Sequence, residues 1–210
     1  VGAIVERDRL LDVRQLPGTT GAQLPFWSPD GRSIGFFAGG KLRRVDVQSG
    51  TISVLADAPS GGRGGTWNRD GVILFNAVND GPLLRVSATG GEVAPVTAID
   101  TSHDENSHRY PVFLPDGRRF LFFVRTRTDR TRAGIYLSSL DAPETKTQLV
   151  RSTYSGSYGV IEGEPYLIWL RDGVLTAQKI DEEGRALVGE PRALVAGIVG
   201  LPNTPSPVSV

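Results

Sequence analysis

The sequence contains no cysteine, and this removes disulfide frameworks, thiolate metal sites and cysteine nucleophiles together. It also lacks an excess of either charge, since 23 basic residues balance 23 acidic ones. No net field draws such a chain to nucleic acid or to an anionic membrane surface. Apolar runs are short, and none approaches the roughly 18 residues a helix needs to cross a bilayer, so no direct membrane insertion is expected. The opening residues do not follow the basic, apolar and small-residue order of a secretion signal. Helical periodicity is sustained almost nowhere; the best stretch, Asp181 to Leu187, is interrupted by Gly184. What is plentiful is turn chemistry. The 26 Gly and 14 Pro are scattered among short apolar runs, the pattern of many strands joined by tight turns. The first residue is Val1 and the last four are Pro207, Val208, Ser209 and Val210, which suggests a piece excised from something longer.

Self-comparison reveals a repeat: an aromatic residue, a few turn residues, Asp-Gly, then an apolar strand. The copies are Phe26-Trp27-Ser28-Pro29-Asp30-Gly31-Arg32, Thr66-Trp67-Asn68-Arg69-Asp70-Gly71-Val72 and Val112-Phe113-Leu114-Pro115-Asp116-Gly117-Arg118. Asp30 to Asp70 is 40 residues and Asp70 to Asp116 is 46, close to the period of about 40–50 residues expected of four-stranded propeller blades. A degenerate fourth copy is Tyr158 to Gly163, followed by the apolar run Tyr166 to Leu170. In Ser-Pro-Asp-Gly, proline presets φ at the first turn position, aspartate tolerates the second and glycine takes the left-handed third. Asp30, Gly31, Asp70, Gly71, Asp116 and Gly117 are therefore read as structural turn residues. The strands after these turns, such as Ile34 to Phe37 and Phe120 to Val124, are near-continuous apolar runs, as expected when both sheet faces are buried. The third strands, Leu84 to Val86 and Ile135 to Ser138, are more mixed and suit positions nearer a rim. The fold expected is an all-β propeller of four-stranded antiparallel blades, a single domain over residues 1–210. Its blades cover 22–61, 62–107, 108–153 and 154–197, with partial blades at 1–21 and 198–210. Either a larger ring has been cut or the two remnants pair with each other; the first is favoured.

These repeats resemble the TolB-like, WD-repeat-like β-propeller family, whose recurring element is an aromatic followed by Ser-Pro-Asp-Gly, as at Trp27 to Gly31. The runs Pro25 to Asp30 with Gly35 to Phe37, Arg63 to Gly71, and His108 to Gly117 are similar to the C-terminal propellers of bacterial membrane-linked serine/threonine protein kinases. That resemblance implies a sensor placed outside the cytoplasm, periplasmic or at the cell surface. The second copy departs from the pattern with Arg69 in place of proline, and the fourth with Glu162 in place of aspartate.

No kinase signature is present: there is no glycine-rich nucleotide loop with a strand lysine, no His-Arg-Asp and no Asp-Phe-Gly. Gly61-Gly62-Arg63-Gly64-Gly65 has no following helix or lysine to make a phosphate cradle and is expected to be a flexible connection between blades. His103 and His108, with Asp104, Glu105 and Asn106, fall in a polar insertion that lengthens one period. Their spacing matches neither a zinc nor an EF-hand site; His108 and Arg109 are expected to anchor the innermost strand by hydrogen bonds. Ser155 to Gly159 misses the Gly-x-Ser-x-Gly order of a hydrolase elbow. Trp27, Trp67 and Trp169 are expected to pack blades, and the basic run Arg125 to Arg132 to be a solvated loop. The reading is a noncatalytic sensing or protein-interaction module, without cofactor or metal, whose partner is a protein, a peptide or a small extracellular ligand. Loops between blades would supply the contacts, through Arg63, His103, Asp104, His108, Arg109, Tyr110, Tyr154 and Tyr158. Two alternatives are the gating propeller of a prolyl-oligopeptidase-type serine peptidase and a TolB-like periplasmic assembly protein.

Overall fold

The structure is a computed structural model describing residues 4–5, 14–181 and 183–199. Among the described residues, regular structure is almost entirely strand, relieved by one 3₁₀ turn at Thr101–His103. A two-stranded ladder joins β1 (Ile4–Val5) to β2 (Arg14–Gln15). Four antiparallel sheets follow, each with its strands hydrogen-bonded in chain order. The first holds β3 (Gln23–Trp27), β4 (Ser33–Ala38), β5 (Lys41–Asp46) and β6 (Ile52–Asp57); the second β7 (Gly65–Trp67), β8 (Val72–Phe75), β9 (Leu84–Ser87) and β10 (Ala94–Pro95). The third holds β11 (Glu105–Phe113), β12 (Arg119–Thr126), β13 (Gly134–Ser139) and β14 (Ala142–Arg151); the fourth β15 (Gly156–Ile161), β16 (Glu164–Arg171), β17 (Val174–Ile180) and β18 (Leu187–Ala196). Such up-and-down meanders are the unit from which propellers are made. The strand expected at Pro205 to Val210 lies outside the described residues.

The described residues form two compact units, one within 4–79 and 84–95 and the other within 80–83 and 96–199. In the first, the two sheets pack face to face through Phe37, Leu42 and Leu55 on one side and Ile73, Phe75 and Val86 on the other. Glycines make room for the aromatics: a Cβ at Gly35 would lie 2.3 Å from the Phe26 ring, one at Gly65 2.4 Å from it, and one at Gly62 2.3 Å from the Phe37 ring. The glycine-rich connection 61–65 is thus a packed notch and not a flexible linker.

In the second unit, Leu121, Ile135 and Leu137 of the third sheet meet Leu167, Trp169 and Ile180 of the fourth. The run Phe120 to Val124 is buried on both faces, each such side chain contributing about 1.5–3 kcal/mol. Ile135 to Ser138 departs from the expected mixed, rim-like strand, because all four residues are buried. Ile135 and Leu137 enter the inter-sheet core, the Tyr136 ring lies tilted against Phe122 with centroids 6.0 Å apart, and Ser138 Oγ donates to Thr145 O at 2.7 Å.

The first three repeat turns share one geometry. Gly31 N donates to Ser28 O at 2.9 Å, Gly71 N to Asn68 O at 3.2 Å and Gly117 N to Leu114 O at 2.9 Å. All three glycines have φ between 68° and 75°, a region open to glycine without steric cost. Asp30 and Asp116 accept the amides of Arg32 and Arg118 at 3.0 and 2.8 Å, while in the second copy Asn68 Oδ1 takes the Val72 amide at 2.8 Å. The fourth copy differs: Ile161 pairs directly with Glu164, so Glu162 and Gly163, both at positive φ, form a two-residue hairpin turn. The weakly helical stretch at Asp181 is also a turn, with Asp181 Oδ1 accepting the amides of Arg185 and Ala186 at 2.5 and 3.1 Å.

Candidate functional site

Strand β11 opens with five consecutive polar residues, Glu105, Asn106, Ser107, His108 and Arg109, and all five are buried. Buried polar and charged groups are costly unless paired, and the strand's surroundings supply partners, although Asn106 Oδ1 is left without one. A bulge at Asn106 breaks the alternation of side chains, which lets Glu105 and His108, three apart, meet. His108 is 0 % exposed. Its Nδ1 lies 2.7 Å from Thr97 Oγ1 and its Nε2 3.1 Å from Glu105 Oε2. Thr97 Oγ1 also accepts the Leu83 amide at 2.9 Å. An ionised carboxylate only accepts, so Nε2 carries the proton toward Glu105; in the neutral ring Nδ1 then accepts from the Thr97 hydroxyl.

Glu105 Oε2 also accepts from the Asp100 amide at 2.9 Å and from Lys146 Nζ, reaching in from β14, at 2.5 Å. Burial, the largest single influence, raises the Glu105 pKa, but the hydrogen bonds from His108, Lys146 and Asp100 and the ammonium charge together outweigh it and hold the carboxyl at about 2. Burial lowers the pKa of His108 more strongly than the Glu105 hydrogen bond raises it. The ring of His108 stands edge-on to Phe122 at 5.0 Å. The result is a carboxylate–ammonium pair with a neutral imidazole wedged beside it; Glu105 and His108 are shut away from solvent, while Lys146 keeps partial access to it.

Loops on either side of this strand are tied to it by carboxylates. Asp100 accepts from Ser102 Oγ and His103 Nδ1, each at 2.5 Å, and these bonds, the serine first, hold its pKa at about 2. Asp104, in the left-handed region at φ 62°, accepts from Thr128 N, Thr128 Oγ1 and Asp129 N at 2.5, 2.8 and 2.9 Å through one oxygen. Asp80 collects Asn106 Nδ2 at 2.9 Å, Arg125 Nη1 at 3.3 Å and Arg127 Nη2 at 3.1 Å. The basic run is therefore not wholly solvated: its first two arginines are anchored to Asp80.

The residues singled out from sequence are distributed unevenly. His103, Asp104, His108, Arg109 and Tyr110 come together along β11 and the turn before it, although His108 and Arg109 are buried strand residues and not loop contacts; Arg109 Nε donates to Ser107 Oγ at 2.9 Å. Tyr110 takes φ 50° just before Pro111, as Leu24 takes φ 49° before Pro25, each within a bulge of its sheet's first strand. Such conformations in bulky residues hold strain. Tyr154 lies in the turn before β15, its amide on Ser152 Oγ at 2.9 Å. Tyr158 packs half-buried against the inter-sheet core. Arg63 belongs to the other compact unit, where its guanidinium bonds Asn79 Oδ1 and Gly62 O. Trp169 is 2 % exposed, whereas Trp27 is 48 % exposed and does not serve the packing role expected of it. Sequence reading missed Asp80 and Lys146, which are remote in the chain from β11, and also Thr97 and Asp100, which lie close to it but carry no motif that marks them as its partners. Among the described residues, no group of three or more His, Asp or Glu side chains is placed to hold a metal, and no helix is long and apolar enough to cross a membrane.

No family model matches the chain, and no curated protein matches it in sequence. Among solved structures it is similar to TolB from Acinetobacter baumannii, with a TM-score of 0.70 at 12 % identity over 94 % of this chain and 49 % of that one. It is also similar to XC5397 from Xanthomonas campestris, a gluconolactonase, with a TM-score of 0.63 at 15 % identity over 82 % of this chain and 61 % of that one. The β-propeller domain of Cps50 (Swd1) from Myceliophteria thermophila gives a TM-score of 0.57 at 14 % identity over 82 % of this chain and 58 % of that one. At such identities the likeness speaks for fold alone: the chain is part of a β-propeller of four-stranded antiparallel blades. It spans about half to three-fifths of the length of these proteins.

Proposed function

We propose that the chain is a noncatalytic sensing or protein-interaction propeller, part of a larger bacterial signalling protein and working outside the cytoplasm as the sensor of a membrane-linked serine/threonine kinase. One observation carries the noncatalytic part of this reading. The polar groups that resemble catalytic machinery are spent on each other: His108 has both ring nitrogens engaged and no exposed surface, and Glu105 is neutralised by Lys146. A general base must reach the proton it abstracts, and these two do not. The kinase-sensor part rests on the resemblance of Pro25 to Phe37, Arg63 to Gly71 and His108 to Gly117. Propellers serve many unrelated functions, and the gluconolactonase neighbour makes lactone hydrolysis the competing activity to test.

The experiment is a thermal-shift screen of the purified chain against peptides and small extracellular metabolites, run beside hydrolysis assays with lactone, ester and peptide substrates. A ligand that raises the melting temperature in a concentration-dependent way, with no turnover of any substrate, supports the reading. Turnover that disappears in His108→Gln or Glu105→Gln would overturn it.

A further inference from the structure

A groove of about 390 Å³ runs between the first-hairpin turns of the first two sheets, both within the first compact unit. Its walls carry opposite charges. On one side, Asp30 uses Oδ1 to accept Ser28 Oγ at 2.6 Å and the Arg32 amide at 3.0 Å; among the described residues nothing donates to its Oδ2. These bonds, the serine's foremost, hold the carboxyl below its ordinary pKa, so it is ionised at neutral pH. On the other side stands Arg69, exposed at the position where the first and third turns carry Pro29 and Pro115. The exchange gives up proline's preset φ, yet among the described residues the guanidinium makes no hydrogen bond or ion pair, not even with Asp30. The floor is apolar: half-buried Trp67, packed on its inner side against the sheet core, with Pro29 and Ala88. Ala88 is fixed by Arg44, whose Nη1 donates to Ala88 O at 2.9 Å.

We propose that this groove binds a small zwitterion with an apolar or aromatic body, its ammonium on Asp30 Oδ2, its carboxylate on Arg69 and its body on the indole of Trp67. A simple anion meets Asp30, a simple cation meets Arg69, and a neutral apolar molecule leaves both charges without partners; only a dipolar ligand satisfies the two walls at once. Free amino acids and short peptides with free termini share this chemistry. They differ in the separation of their charges. The inference concerns a site in the first unit and does not depend on the identity of the partner proposed above. With both charges near solvent, a dissociation constant of about 0.1–1 mM is expected.

The test uses ¹⁵N-labelled full chain and its three indole N–H resonances, with Trp67→Phe assigning the Trp67 signal. The chain is titrated with phenylalanine, with phenylalanyl-phenylalanine, and with N-acetylphenylalanine and phenylalaninamide, which each lack one charge. The Trp67 signal alone should move, with binding about tenfold weaker for both single-charge analogues. Whichever of phenylalanine and the dipeptide binds tighter identifies the source. Arg69→Pro, which restores the turn residue of the other copies, and Asp30→Asn should each weaken zwitterion binding about tenfold while the melting temperature holds; Arg69→Gln repeats the test with the turn residue unrestricted. The proposal is overturned if the signal stays still to about 20 mM of both zwitterions, if all three indoles move together, or if the variants bind as the parent does.

Discussion

Replacing Glu105 by glutamine keeps the shape of the buried network and removes its charge, leaving Lys146 as an ammonium with no carboxylate. The magnitude follows from proton linkage. The carboxyl moves from an ordinary 4.5 to about 2 on folding, and at about 1.4 kcal/mol for each tenfold change in proton affinity the ionised form contributes about 3 kcal/mol to stability at neutral pH. That agrees with the cost of about 3–5 kcal/mol for deleting one partner of a buried ion pair. The sign is fixed: a depressed carboxyl stabilises above its unfolded value of 4.5, and its contribution is lost as pH falls from 4.5 toward about 2. Below that window the protonated carboxyl of the parent and the neutral amide of the variant are alike in charge and shape.

The assay is urea unfolding followed by tryptophan fluorescence, in a background where Trp27 and Trp67 are phenylalanine, so that Trp169, in the core of the second unit, reports alone. Parent and variant should differ by about 3 kcal/mol at pH 7, and the difference should shrink steadily as pH falls below 4.5. Working with the difference cancels every carboxyl the two proteins share. A gap that stays constant down to pH 3 would show that Glu105 is not held ionised by its partners, and the network as described would be wrong.

His108→Gln removes the second acid-sensitive group: because burial lowers its pKa, the parent loses stability as pH falls below 6.5, and the variant should lack that limb of its stability curve. Gly65→Ala drives a methyl into the Phe26 ring and should cost about 1–3 kcal/mol, part of it recovered in the Gly65→Ala/Phe26→Leu double variant, as urea midpoints will show. Trp169→Ala should cost about 3–5 kcal/mol and Trp27→Ala less than about 1 kcal/mol, given their opposite exposure. Asp104→Ala releases Thr128 and Asp129, so trypsin should cut after Arg127, Arg130 or Arg132 several times faster than in the parent.

How much of this was legible in sequence depends on whether the determinants were local. The repeat turns were, because Asp30-Gly31 and Asp116-Gly117 are held by bonds spanning two or three residues, and a local requirement leaves a local signature. The buried second strands were legible for the same reason, in the unbroken apolar run Phe120 to Val124. Legibility failed where the neighbouring sheet decides. Trp27 and Trp67 occupy equivalent places in their repeats, yet Trp67 joins the core of the first unit while Trp27 is turned toward solvent. Likewise Ile135 to Ser138 alternates like a half-exposed strand, but both of its faces are covered.

The polar start of β11 shows why a site is harder to read than a fold. In sequence, Glu105 to Arg109 falls in a polar insertion where only His108 and Arg109 are expected to anchor a strand by hydrogen bonds, and exposure is the economical assumption for the polar residues before them. The structure buries them because partners arrive from three separate stretches: Asp80 and Leu83 from the connection between β8 and β9, Thr97 and Asp100 from the segment before the 3₁₀ turn, and Lys146 from β14. None of these partners is fixed by a spacing rule, since each owes its position to a different connection. A buried ion pair adds less stability than an apolar core of the same volume, and here Asn106 Oδ1 is buried without a partner, so the network's value lies elsewhere. It admits one arrangement of its members: one tautomer of His108, one orientation of Asn106, one register of the bulge. In a sheet whose strands are otherwise interchangeable apolar runs, that demand fixes where β11 lies against the 80–83 segment, through the parallel bridge of Gly81 to Ser107 and the bond from His108 N to Gly81 O at 2.9 Å.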